Sequence, residues 1–134
     1  MKRSLIVCAL VFTMALLTAQ SALAARVYNF TPITLKIAGS DIRSSRGQFA
    51  LASGQRSESV HYPHWARITI EDPSAGVAVC SVLANGELVG GNYMVIGNIG
   101  SRVHCVICNS SHQVMQSSAG NATHNWQSNS RTGC

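Results

Sequence analysis

Charge is scarce in this chain. Of 134 residues only 11% are Asp, Glu, Lys or Arg, and the acidic side is the poorer, five against ten. An ordinary globular domain carries about 25%. With 46% of residues hydrophobic, a chain held open by self-repulsion is excluded. Proline is rare, with three residues, and aromatics reach 6%. Beyond the N-terminus no run approaches the ~18 consecutive apolar residues of a membrane span. The basic residues Arg26, Lys36, Arg43, Arg46, Arg56, Arg67, Arg102 and Arg131 are scattered without interleaved aromatics, which argues against nucleic acid as a partner. No Gly-x-Ser-x-Gly elbow occurs, and the glycines at 86, 90, 91, 97 and 100 are spaced as hairpin punctuation, not as a phosphate loop. No cofactor motif is present. The length excludes a TIM barrel or a two-lobed cofactor enzyme and leaves room for one core.

What is present begins with an export signal over residues 1–24. Lys2 and Arg3 form a positive start, Leu5 to Leu17 is almost wholly apolar, and Ala22-Leu23-Ala24 supplies small residues for cleavage after Ala24. The apolar run is shorter than a span of about 20 residues, and Thr18, Gln20 and Ser21 break its continuation. Cleavage removes Cys8 together with two of the five net positive charges. The expected location is the periplasm or the medium. Asn29, Asn109 and Asn121 open N-x-S/T sequons, which have meaning only where the host glycosylates.

Residues 25–108 read as strands. Ile33, Leu35 and Ile37 alternate with polar neighbours, the period of a ribbon with one dry face. Gly39 to Gly47 reads as a loop. Phe49 and Leu51 resume the alternation, and Ser57 to Tyr62 is expected to close a second hairpin. Past Pro63, Ala66, Ile68 and Ile70 alternate with Arg67, Thr69 and Glu71, then Asp72-Pro73-Ser74-Ala75-Gly76 turns the chain. Val77 to Leu83 is apolar on both faces, as in a central strand. Asn85-Gly86 signals a tight hairpin, with Glu87 to Val89 returning. Tyr93 to Ile96 and Arg102 to Cys108 form a further pair around Gly97 to Gly100. These features predict an all-β fold, a small antiparallel β-sandwich or barrel of about seven or eight short strands. Residues 109–134 carry one charge, Arg131, and read as a polar tail. Within it Ser110 and Gln113 fit a capping box for one short helix through Val114 and Met115.

Cys80, Cys105, Cys108 and Cys134 remain after cleavage, an even set that reads as two disulfides in an oxidising compartment. In Val103-His104-Cys105-Val106-Ile107-Cys108 the residues 103, 105 and 107 share one apolar face, so Cys105 points into the core and Cys108 away from it. This predicts Cys80 with Cys105 as an internal staple and Cys108 with Cys134 as a clasp over the tail. Each closes about 26 residues, worth ~3 to 4 kcal/mol in the chain-entropy model. A Cys105–Cys108 bridge would require the backbone to leave the strand.

The function expected is that of an exported binding or structural module with a protein or surface-glycan partner, acting through loops or a sheet face. Its contact residues are sought in the Gly39–Gly47 loop (Arg43, Arg46), in Tyr62, His64 and Trp65, and in the tail at Trp126. A periplasmic thiol-redox or metal protein centred on Cys105 and Cys108 is the alternative, with His104 and His112 as further ligands for zinc or copper. A small secreted hydrolase or toxin using His61, His64, His104 or His112 is a third reading.

Overall fold

The computed structural model describes residues 25–41, 46–60, 62–128 and 131–134. The export signal at 1–24, Arg43 and His61 lie outside them. Eight strands follow in order: β1 (Arg26–Asn29), β2 (Leu35–Asp41), β3 (Arg46–Leu51), β4 (Trp65–Asp72), β5 (Val77–Leu83), β6 (Tyr93–Ile99), β7 (Arg102–Cys108) and β8 (Val114–Asn121). They form two four-stranded sheets, β1-β6-β7-β8 and β3-β2-β4-β5, facing each other as a sandwich that does not close into a barrel. All pairs are antiparallel except β1 with β6.

The alternating residues fill the space between the sheets. Leu35, Ile37, Ile68 and Ile70 come from one side, and Val27, Met94, Ile96, Val103, Cys105 and Ile107 from the other, all fully buried. Both disulfides have the expected pairing. Cys80–Cys105 joins β5 to β7 across the sandwich, and Cys108–Cys134 ties the last residue to the end of β7, with Cα separations of 6.4 and 5.8 Å.

Several elements differ from the sequence reading, each for a physical reason. Gly39 and Gly47 are paired strand residues, not loop, because the Trp65 indole lies where their side chains would be. Tyr62 in turn stacks on that indole, centroids 3.7 Å apart. The described residues of Ser57 to Tyr62 form no hairpin strand. The segment instead covers the free edge of β1, with Ser57 N–H donating to the Val27 carbonyl and Ala25 and Val60 exchanging two hydrogen bonds. Asn85 and Gly86 do adopt positive φ, 49° and 71°. However, Glu87 to Val89 adds no strand, because the chain crosses there to the other sheet. Val77 to Leu83 is an edge strand rather than a central one, and its apolar ends Val77 and Leu83 stand 48% and 46% exposed.

The largest difference lies in the tail. Val114–Asn121 is not a helix but β8, paired along β7. Asn109 explains the failed cap: its side-chain oxygen accepts the Ser111 and Gln113 N–H groups at 3.0 and 2.9 Å, closing a tight turn. The small residues that made this segment read as tail are required by its place. Its inward positions Gln116, Ser118 and Gly120 oppose Ile107, Cys105 and Val103. Here β5 bulges at Val79 and its backbone presses onto β8, so a Cβ at Gly120 would collide with the Val79 carbonyl.

Asp72, only 2% exposed, ties the β4–β5 turn to the chain beyond β8. Its carboxylate accepts hydrogen bonds from the Ser74 hydroxyl and backbone N–H and from the Thr123 hydroxyl. The Ser74 hydroxyl foremost, then Thr123, hold its pKa below the usual carboxylate value, against the upward push of burial. A depressed folded pKa gives stability that is complete above the unfolded value near 4 and is lost as pH falls through the folded pKa. Asp72→Asn should therefore cost about 1–2 kcal/mol at pH 7 and flatten the loss of stability below about pH 4, read from urea unfolding across pH. Gly120→Ala should lower stability by about 1–3 kcal/mol through overpacking, while Gly133→Ala, whose Cβ would meet nothing within 4 Å, leaves the melting temperature unchanged.

Candidate binding groove on the outer sheet face

In the sheet β1-β6-β7-β8 the strands β6 and β7 carry apolar residues on both sides. Beyond its core face, Tyr28, Tyr93, Val95, Val106 and Cys108 project outward from β1, β6 and β7, and Val95, Val106 and Cys108 are as dry as the core. A ribbon buried on both faces needs a cover on each. On this side the cover is the chain after β8. Trp126 is 7% exposed and docks in the main core. Asn98 Nδ2 then donates to the Gln127 carbonyl at 3.0 Å, and the Gly100 N–H to Ser128 Oγ at 2.7 Å. The last residues cross Gly97, where a Cβ would strike the Arg131 carbonyl, and end at the Cys108–Cys134 bridge.

Between this strap and the strands lies an open groove of about 360 Å³, lined chiefly by Tyr28, Phe30, Tyr93, Ser110, His112 and Arg131. Register builds its aromatic side. Tyr28 stands opposite Val95 in the parallel β1–β6 pair, and Phe30 follows two residues later, anchored by its N–H on the Ile96 carbonyl. Their rings are nearly parallel, 7° apart with centroids at 6.2 Å, and Tyr93 meets Tyr28 edge-on at 6.0 Å. The Arg131 guanidinium sits over the Phe30 ring at 5.1 Å.

The polar side is set by the β7–β8 turn. His112 takes a positive φ of 60° there, and its Nδ1 lies 2.6 Å from the Tyr93 hydroxyl. That hydroxyl also donates to the Cys134 carbonyl at 3.1 Å. A phenol has one proton and a carbonyl cannot donate, so His112 donates to the Tyr93 oxygen through Nδ1–H. One hydroxyl thus fixes a tautomer and holds the strap.

Comparison with protein-family models, curated proteins and solved structures finds no match to this chain. The groove is therefore read from its own chemistry. Among the described residues, none of the contact residues sought in the sequence lines it. Trp65, 3% exposed, and Trp126 are core, and Tyr62 is half-buried against Trp65. His64 is exposed in the turn before β4, Arg46 opens β3, and Arg43 lies outside the described residues. Cys105 and Cys108 face opposite sides of the sheet and belong to different bridges, so they are not a dithiol pair. Among the described residues no three His, Cys, Asp or Glu side chains group as metal ligands. The groove residues did leave a trace in the sequence: Tyr28 and Phe30, Tyr93 and Val95, and Val106 and Cys108 each stand two apart on the faces opposite the core.

Tyr93→Phe should lower stability by about 1 kcal/mol and, in two-bond ¹⁵N–¹H spectra of His112, release the Nδ1–H tautomer toward Nε2–H. An unchanged tautomer would contradict the hydrogen-bond assignment.

Proposed function

We propose that the chain is exported, cut after Ala24, and acts in the periplasm or the medium as a disulfide-stapled binding module whose groove takes a sugar ring of a surface glycan. The observation that carries this reading is the pairing of aromatic rings with polar groups in one small concavity: Tyr28, Phe30 and Tyr93 beside Ser110, the His112 ring and Arg131. A pyranose has an apolar C–H face and a rim of hydroxyls. Aromatic surface buries the face without demanding hydrogen bonds, and donors and acceptors at the edge satisfy the rim that would otherwise lose its water. The volume is at the small end of ligand sites, which begin near ~300 Å³, and suits one or two rings better than a folded protein surface. The two disulfides support the oxidising compartment this role requires. Among the described residues no helix is long and apolar enough to cross a membrane.

A glycan array probed with the mature protein, followed by titration calorimetry on the best oligosaccharide, tests the reading. Tyr28→Ala should weaken binding about tenfold, the worth of one stacked ring of ~1.4 kcal/mol, while His64→Ala, outside the groove, leaves it unchanged. Failure to bind any oligosaccharide at millimolar concentration, or equal binding by both variants, would overturn it.

A further inference from the structure

The two disulfides occupy different surroundings. Cys80 and Cys105 are both buried between the sheets, with the Cys80 sulfur against the Ser118 carbonyl. Cys108 is buried as well, but its partner Cys134 is half-buried and forms part of the groove wall. Thiol–disulfide exchange starts with a thiolate reaching a sulfur, so access ranks the two bridges. The outer bridge can be reached through the groove. The inner one lies in the core, with Cys80 4% and Cys105 0% exposed.

What each bridge holds also differs. Trp126 in the core and the bonds from Asn98 to Gln127 and from Gly100 to Ser128 secure the near end of the strap without help from Cys134. The far end is another matter. Arg131 over Phe30, the Arg131 carbonyl against Gly97, and the Cys134 carbonyl on Tyr93 all lie within four residues of the bridge, and two of these contacts form the groove.

We infer that Cys108–Cys134 is a redox latch on the groove: a dithiol reductant opens it, residues 131–134 leave the sheet face, and ligand binding is lost while the sandwich stays folded on Cys80–Cys105. The inference rests on the groove being the binding site. In the first step a thiolate of the reductant attacks Cys134 Sγ, forming a mixed disulfide, and Cys108 leaves as a thiolate that takes up a proton. The reductant's second thiolate then attacks its own sulfur in the mixed disulfide. Cys134 leaves and is protonated, and the reductant departs as a cyclic disulfide. Two electrons and two protons pass from the dithiol to the protein.

The test treats the mature protein with graded dithiothreitol, traps free thiols with iodoacetamide and locates them by mass spectrometry. Tryptic cleavage after Arg131 and binding of the oligosaccharide used above are followed in parallel. Cys108 and Cys134 should be alkylated at reductant levels that leave Cys80 and Cys105 paired, with cleavage after Arg131 rising at least tenfold. The double variant Cys108→Ser/Cys134→Ser should keep a cooperative melt, show the same fast cleavage and bind at least tenfold more weakly. Simultaneous reduction of both bridges, or a strap in the double variant as protected as in the parent, would overturn the latch. If the parent binds no oligosaccharide, the glycan reading fails by itself, and the alkylation and cleavage data still decide whether the strap is latched.

Discussion

The cross-link between Cys80 and Cys105 is the constraint on which the rest of this fold depends. It joins the edge strand β5 to the central strand β7 and so fixes how closely the two sheets stand on that side. The closeness determines the composition of β8. Where β8 lies under the bulge at Val79 there is no room for a side chain at Gly120, and its inward neighbour Ser118 is small. A segment of low hydrophobicity thereby becomes part of the sheet, its backbone hydrogen bonds and the neighbouring cross-link replacing the apolar burial it lacks.

That arrangement has a consequence on the opposite face. With β8 supplying little apolar bulk, β6 and β7 carry apolar residues on both sides, and the outward set, Val95, Val106 and Cys108, has to be covered. The chain end does this, turning around Trp126 and running back to Cys108. Between that cover and Tyr28, Phe30 and Tyr93 lies the groove. The inner bridge shapes the scaffold and the outer bridge borders the groove.

Much of this was legible in the residues. Period-two alternation in Leu35–Ile37 and Ala66–Glu71 located β2 and β4, and the facing of Cys105 and Cys108 to opposite sides was enough to pair all four cysteines. Glycine misled the reading most. Gly39, Gly47 and Gly120 are strand residues chosen for close approach of an indole or a backbone, a reason that exists only in three dimensions and that local turn statistics cannot see. Trp65 and Trp126, sought as contact residues, are both buried. The groove was hidden because its residues come from β1, the end of β6, the β7–β8 turn and the last residues of the chain, which only a parallel pairing and a disulfide bring together.

The measurement that bears most directly on this architecture is a map of the cross-links in the unreduced protein, after cleavage between Cys105 and Cys108 by a protease that accepts Val106 or Ile107. The expected products are a fragment of Cys80 joined to one of Cys105 and a fragment of Cys108 joined to one of Cys134. A fragment of Cys80 joined directly to one of Cys134, the mark of a Cys105–Cys108 bridge, would contradict both the sandwich staple and the strap.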